Sequence, residues 1–161
     1  MNRILLNGLM LASAVLIGAC QAQAPDVSGE SEVKSETPRM TVYHDPNCGC
    51  CGKWVEHMRD HGFEVETVAT SDMNRVKHEL GVPRELPSCH TAQVGDYIIE
   101  GHVPAKDVLR LLAEAPHARG LSVPGMPIGS PGMEVDGRRM AYDVVLFGED
   151  GQKRYSTATR P

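Results

Sequence analysis

Residues 40–55 read MTVYHDPNCGCCGKWV, and this stretch decides the fold. Met40–His44 leans apolar, which predicts a short β-strand, and residues 45–47, Asp-Pro-Asn, are turn formers. A helix is predicted from about 51 to 61, since apolar residues recur there at helical spacing and Gly62 is a natural stop. The apolar face of that helix consists of Trp54, Val55 and Met58. The stretch therefore predicts a strand, a cysteine-bearing loop and a helix in succession.

Further strands and helices follow at regular intervals. The predicted elements are a strand over 63–69, a helix from Ser71 or Asp72 to about Leu80, a hairpin of 89–94 and 97–100 around Gly95-Asp96, and a helix from Pro104 to about Ala115. This β-α-β-α-β-β-α order predicts a thioredoxin-like α/β fold, with the cysteines between the first strand and the first helix. That fold usually carries a cis-proline before its third strand, where Pro87 stands here.

The C-terminal part has a different character. Residues 121–133, LSVPGMPIGSPGM, predict a Gly/Pro loop that carries Met126 and Met133. Two β-rich runs within 142–157 flank Gly-Glu-Asp-Gly and predict a closing β-hairpin. Residues 40–161 are therefore expected to form one domain of ordinary size.

The first nineteen residues predict a signal peptide. Arg3 precedes an apolar run, Gly8–Ile17, that is too short to span a bilayer. The run ends in Ile-Gly-Ala-Cys20, which resembles a bacterial lipobox, so Cys20 is the predicted lipidation site. The alternative is ordinary secretory cleavage near Ala22 or Ala24, with loss of Cys20.

Residues 20–39 predict a flexible tether, because they are rich in Ser, Glu, Pro and Ala and almost without large apolar side chains. By resemblance to known lipoproteins, Gln21 after the cysteine, in place of Asp, favours the outer membrane. The expected location is the periplasm, with the lipid as the sole membrane attachment.

The net charge of −5 without a basic stretch argues against nucleic-acid binding, which depends on phosphate neutralisation. No Ser–His–Asp set, phosphate-binding Gly loop or paired-carboxylate signature stands out, and no catalytic residue is predicted. The apolar content of 41% supports a core, built mainly from aliphatic side chains because aromatics make up only 4%.

Four core cysteines, Cys48, Cys50, Cys51 and Cys89, allow three interpretations in an oxidising compartment. As structural disulfides, Cys48 could close onto Cys51, which leaves Cys50 and Cys89 as a second pair. As a redox site, Cys48 and Cys51 form a C-x-x-C pair before a helix, as in thiol–disulfide exchange enzymes, but the third thiol, Cys50, invites misbridging.

Metal binding is the third interpretation and the one that the spacing favours. Soft thiolates select Cu(I), zinc or iron–sulfur clusters. Zinc sites usually draw on two separated pairs of ligands, whereas the spacing here is three plus one. Adjacent thiolates at Cys50 and Cys51 instead suit the bridging of several copper ions, and thioethers at Met126 and Met133 are soft ligands of the same kind.

Among the imidazoles, His102 is the best candidate ligand, because it follows a strand end and precedes the third helix. His90 and His44 are further candidates, although a regular strand would point His90 away from Cys89. Met126 and Met133 either fill gaps over the core or form a flexible lid for copper capture. His57 and His61 are assigned to a solvated helix face.

From residue 40 to about 140 the chain resembles the periplasmic metal-binding family of unknown function that includes the copper-resistance protein CopG. The matching strings are CGCCGKW at 48–54, PSCHTA at 87–92, EGHVPA at 100–105 and VPGMPIGSPGME at 123–134. The resemblance implies a thioredoxin-like domain with a cysteine-bridged multinuclear copper site, linked to copper tolerance.

Together these observations predict a periplasmic protein that holds Cu(I), as several ions, in a site of Cys48, Cys50, Cys51, Cys89 and His102. Cycling of the copper redox state is a further hypothesis, with a copper exporter or another periplasmic copper protein as partner. The alternative is a thioredoxin-like thiol–disulfide oxidoreductase that uses Cys48 and Cys51.

Overall fold

The computed structural model describes residues 37–158. The predicted signal peptide, Cys20 and nearly all of the predicted tether lie outside these residues. The elements in chain order are β1 (Arg39–His44), α1 (Gly49–Asp60), β2 (Glu64–Ala69), α2 (Met73–Glu79), β3 (His90–Val94), β4 (Tyr97–Gly101), α3 (Ala105–Glu114), β5 (Gly120–Val123), β6 (Tyr142–Gly148) and β7 (Gly151–Ala158). Within 37–158 no helix is long and apolar enough to cross a membrane.

The strands form one seven-stranded sheet in the order β2-β1-β3-β4-β5-β6-β7. β1 pairs in parallel with β2 and antiparallel with β3, and β3 continues into β4 through the hairpin at Gly95. β4 and β5 are parallel, with α3 as the crossover, and β5, β6 and β7 are antiparallel neighbours. The predicted mixed α/β class is confirmed.

The prediction of a loop over 121–133 is wrong for its first three residues. Residues 121–123 belong to β5, which is buried along its whole length between β4 and β6. Four residues that run into Pro124 are too few to show alternation. Pairing with β4 makes this segment a strand, because the edge of β4 offers backbone N–H and C=O groups that hydrogen-bond to Leu121 and its neighbours.

The core lies on both faces of the sheet. The larger cluster packs α1 and α3 against the strands through residues such as Trp54, Met58 and Leu111. A smaller cluster contains Leu86, Ile98 and Phe147. Ile98 and Ile99 are consecutive on β4 and belong to different clusters, as the alternation of side chains in a strand requires. The site described below lies at the C-terminal end of β1.

Helix α1 begins at Gly49, two residues before the predicted start. The Asp45 carbonyl accepts the Cys48 N–H (3.0 Å), and the Asp45 side chain accepts the Asn47 N–H (2.8 Å). This Asx-type turn places Cys48 at the N-cap of the helix.

In the described residues every peptide bond is trans, including the one before Pro87, and trans is the more stable isomer of an X–Pro bond.

Candidate metal centre

Helix α1 presents three of the four core cysteines at its N-terminal end. Cys48 is the N-cap, and Cys50 and Cys51 lie in the first turn. Cys48 and Cys51 are joined by a disulfide, with their Cα atoms 5.4 Å apart, whereas Cys50 and Cys89 are free thiols. In this oxidised state Cys48 and Cys51 are bonded to each other, so two of the four predicted ligands are not thiolates.

Cys89 comes from a different part of the chain and completes the sulfur cluster. Its Sγ lies 3.8 Å from Cys50 Sγ and 3.7 Å from Cys51 Sγ. Cys50 Sγ lies 3.5 Å from Cys48 Sγ. All four sulfur atoms fall within 4.8 Å of one another, so the structure brings together all four predicted thiol ligands.

His102 faces Cys89 with its Nε2 atom, at 3.0 Å from the sulfur. Its Nδ1 lies 2.8 Å from the Pro131 carbonyl oxygen. A carbonyl only accepts, so Nδ1 carries the proton, and Nε2 of the neutral ring has its lone pair directed at Cys89. Burial lowers the pKa of His102, which favours this neutral form. A ligating histidine that donates its other N–H to a carbonyl is the usual arrangement at metal sites.

His90 also lies against Cys89, with Nδ1 at 3.2 Å from the sulfur. The expectation that it points away is wrong, because Cys89 precedes β3 and strand alternation does not extend to it. The His90 ring is fully buried, 4.4 Å from the Trp54 ring and 5.0 Å from the His102 ring. Burial lowers its pKa well below the ordinary value, so the imidazole is neutral.

Two sets of ligand atoms therefore meet at one sulfur. The first contains the four cysteines, and the second contains Cys89, His90 and His102, whose ligand atoms also fall within 4.8 Å of one another. Buried Nε2 of His90 has no hydrogen-bond partner among the described residues. Four sulfurs and two neutral imidazoles are the donors that soft and borderline metal ions prefer, so the residues present fit copper.

His44 stands apart from both sets. It pairs with His90 in the β1–β3 ladder, and its Nδ1 lies 2.9 Å from the Asp45 carbonyl. Within residues 37–158 it belongs to neither group of ligand atoms that converge within 4.8 Å. As with His102, hydrogen bonding to a carbonyl assigns the ring proton to Nδ1.

The loop that carries the two methionines is anchored beside the cysteines at both ends. Near its start the Gly125 N–H donates to the Pro87 carbonyl (3.1 Å), and the Ser88 hydroxyl donates to the Gly125 carbonyl. Near its end Gly132 packs so closely that a Cβ there would lie 2.9 Å from the Cys50 carbonyl oxygen. Met126 is 53% exposed and Met133 is half-buried.

Burial and, after it, the neighbouring Cys50 together raise the pKa of the Cys89 thiol to about 12. The metal-free thiol is therefore protonated at neutral pH, and a thiophilic ion that binds Cys89 must displace this proton. All four sulfurs can become ligands only after two electrons and two protons have reduced the Cys48–Cys51 disulfide.

Sequence reasoning missed two groups that support the site. His57, assigned to a solvated face, is half-buried, and its Nε2 accepts the Ala105 N–H (3.1 Å) at the start of α3. Glu100 is fully buried and hydrogen-bonded to the segment that carries Cys89. A charge directly after Tyr97-Ile98-Ile99 in a short strand is a sequence signal that could have singled it out.

Comparison with known proteins relates this chain to one family. A family model described as "Protein of unknown function, DUF411" matches residues 86–133. A solved structure named copper resistance protein CopG, form 2, is 42% identical, with a TM-score of 0.74, and its alignment covers 77% of this chain and 100% of that one. A second, named form 1, has 42% identity, a TM-score of 0.73 and coverage of 78% and 100%. No curated protein sequence matches this chain.

The fold and the site define a mixed α/β protein whose cysteine cluster could bind a metal ion. With 42% identity over the full length of the solved chains, the protein belongs to the family of the copper resistance protein CopG.

Proposed function

We propose that this chain is a periplasmic copper-binding protein for copper tolerance, which holds Cu(I) in a cysteine-bridged, multinuclear site. The observation that carries the proposal is the position of Cys89 Sγ, within 4 Å of two other sulfurs and of both the His90 and His102 imidazoles. A sulfur between two sets of donors is suited to bridge metal ions.

The number and type of donors support copper over zinc. A structural zinc ion takes four tetrahedral ligands, whereas six donors converge here. Cu(I) prefers thiolates and thioethers, and the loop with Met126 and Met133 is fixed beside the cluster. The names of the solved relatives point to copper in the same way.

Copper redox cycling is part of the proposal. A site with both thiolates and imidazoles contains donors for Cu(I) and for Cu(II), so one-electron exchange with an external donor or acceptor could precede delivery to an exporter. The reduction potential of the loaded protein tests this step. A potential outside the range of periplasmic electron donors and acceptors would exclude it.

We interpret β1 to α3 as a thioredoxin-like unit, supported by the β2-β1-β3-β4 strand order and the position of the cysteines at the start of α1. Export, cleavage before Cys20 and lipid attachment complete the proposal, with the residues from Cys20 up to the start of β1 at Arg39 as the tether to the outer membrane. Mass spectrometry of the mature N-terminus in wild type and Cys20→Ala tests the anchor.

A second function, thiol–disulfide exchange, is favoured by one observation. Cys48 and Cys51 form a disulfide at the start of a helix, where unpaired amides favour thiolate on reduction. The free thiol of Cys50, 3.5 Å from Cys48 Sγ, competes with any external partner for that disulfide.

One experiment separates the two functions. The mature domain is reduced and kept anaerobic, loaded with Cu(I), and analysed for copper and free thiols per chain. Several copper ions with all four thiols protected support the copper site. A copper-free protein with a reversible Cys48–Cys51 disulfide and insulin-reducing activity supports exchange. Cys50→Ser should abolish multinuclear loading and leave exchange intact.

A further inference from the structure

Glu100 is a fully buried carboxylate on β4. Its Oε1 accepts from Lys77 Nζ (2.6 Å) and from the Ser88 backbone N–H (2.6 Å), and its Oε2 accepts from the Thr91 hydroxyl (2.6 Å). Lys77 Nζ also donates to the Thr91 hydroxyl (3.0 Å). A buried charge persists only when it is paired and hydrogen-bonded, and here every partner but Lys77 belongs to residues 88–91.

That segment contains Cys89, the one thiol of the cluster that α1 does not hold. Cys89 lies in neither a helix nor a strand, because β3 begins at His90. Its backbone therefore lacks the ladder hydrogen bonds that would fix its position. The Glu100 carboxylate supplies such a bond at the preceding residue, through the Ser88 N–H.

Gly101 gives independent evidence that Ser88 is held in place. Gly101 has φ +72°, and a Cβ there would collide with the Ser88 side chain and lie 2.8 Å from the Val123 carbonyl oxygen. The Ser88 hydroxyl donates to the Gly125 carbonyl on the methionine loop. Ser88 is therefore fixed by β4 on one side and by the loop on the other.

We propose that Glu100, charge-paired with Lys77, is a positioning residue for the metal centre. It fixes the Ser88–Cys89 backbone so that Cys89 Sγ stands between the α1 thiols and the His90 and His102 imidazoles. The inference rests on the proposed copper function, and Glu100 acts through the Ser88 N–H without being a ligand itself.

The effect should be large because metal sites tolerate little displacement. Metal–ligand distances in a competent site fall within about 0.2 Å of their ideal values, and a site that is loose by about 1 Å fails. Cys89 Sγ contributes to both sets of donors, so its displacement disturbs all of its contacts, which now span 3.0–3.8 Å. Displacement of His44, outside both sets, would disturb none of them.

The test is cysteine-by-cysteine alkylation of Cu(I)-loaded protein, read by peptide mass spectrometry. In wild type we expect all four core cysteines to be protected. Glu100→Gln removes the charge that pairs with Lys77 and leaves one acceptor oxygen in place of two. We therefore expect Cys89 to be alkylated at least about tenfold faster, with Cys48, Cys50 and Cys51 still protected, and Cu(I) affinity to fall by about 10–100-fold. Copper-edge X-ray absorption should show fewer sulfur ligands per copper ion.

Tyr97→Phe is the matched control, because it removes another side-chain hydrogen bond of β4, from Tyr97 Oη to the Pro116 carbonyl (2.8 Å), at the opposite end of the strand from Gly101 and with no partner in residues 88–91. It should lower stability and leave the protection pattern unchanged. Equal exposure of all four cysteines in Glu100→Gln, or selective exposure of Cys89 in Tyr97→Phe, would overturn the inference.

If Glu100→Gln does not fold, Lys77→Met is used instead, since the Lys77 side chain on α2 keeps 12% exposure whereas Glu100 has none, and its loss leaves the carboxylate unpaired. The same selective exposure of Cys89 is expected, and its absence overturns the inference. If wild type binds no copper, the proposed function fails by itself. The inference is then decided on metal-free protein, where faster alkylation of Cys89 in Glu100→Gln supports it and an unchanged rate overturns it.

Discussion

The imidazole of His102 connects Cys89 to Pro131, with Nε2 at 3.0 Å from the sulfur and Nδ1 at 2.8 Å from the carbonyl oxygen. One ring thus touches the sulfur cluster and the Gly/Pro loop, and the loop sets its proton on the nitrogen that faces away from Cys89. The loop therefore contributes to the candidate metal centre through its backbone, independently of its methionines.

Replacement of His102 should weaken copper binding more than replacement of His44. We expect His102→Gln to lower Cu(I) affinity by about tenfold or more, because it removes a donor aimed at Cys89. His44→Gln should leave the affinity unchanged, since His44 is outside both sets of converging atoms. Competition with a chromophoric Cu(I) chelator measures both, and equal losses would contradict the assignment.

Gly132→Ala should displace the loop from α1. Gly132 has φ +82°, and a Cβ would lie 2.8 Å from the Trp54 amide nitrogen. Overpacking of this kind costs about 1–3 kcal/mol of unfolding free energy. The control is Gly137→Ala, which has a similar φ of +70° and open space around the Cβ. Urea denaturation of both variants should show the larger loss at Gly132, and equal losses would show that the close contact is unimportant.

Trp54 should report metal binding by fluorescence. It is the sole tryptophan of the chain, it is fully buried, and its ring lies 4.4 Å from that of His90. A copper ion bound near His90 is close enough to quench the indole by electron transfer or heavy-atom contact. Cu(I) added to the reduced protein should therefore lower the emission. Protein alkylated at all four core cysteines is the control, and the same quenching there would place the metal elsewhere.

Acid should destabilise the metal-free protein through His57. Burial and the neighbouring His61 lower the pKa of His57 below 6.5, while Glu134 and Asp60 oppose the shift. The unfolded chain then binds more protons near pH 6, so the stabilisation is complete above about pH 6.5 and is lost as pH falls through the lower folded pKa. Protonation also removes the acceptor that Nε2 offers to the Ala105 N–H.

The measurement is the urea midpoint of wild type and His57→Gln between pH 7.5 and 5.5. Glutamine keeps an acceptor for the Ala105 N–H and does not titrate, so the variant should lose less stability on acidification. Some loss should persist, because burial also lowers the pKa of His90 and of His102. Identical pH profiles would show that His57 is not a source of the dependence.

Local pattern predicted much of the fold, and its failures have physical causes. The helical spacing of Trp54 and Met58 and the turn at Gly95 depend on neighbours in sequence, so the corresponding elements could be predicted. Strand β5 could not, because four buried residues gain their structure from the edges of β4 and β6. The orientation of His90 was mispredicted because its strand begins only at that residue.

The sequence by itself determined the soft donor set: Cys48, Cys50 and Cys51 are close in space because they are close in the chain, and their family strings are specific. Only the tertiary structure decided that Cys89 meets them, that His90 and His102 meet Cys89, and that Glu100 and Pro131 are bonded to this group. The reason is that these contacts join residues from β3, β4 and three loops, whose approach depends on sheet pairing and core packing. Such contacts leave no periodic signal in the chain.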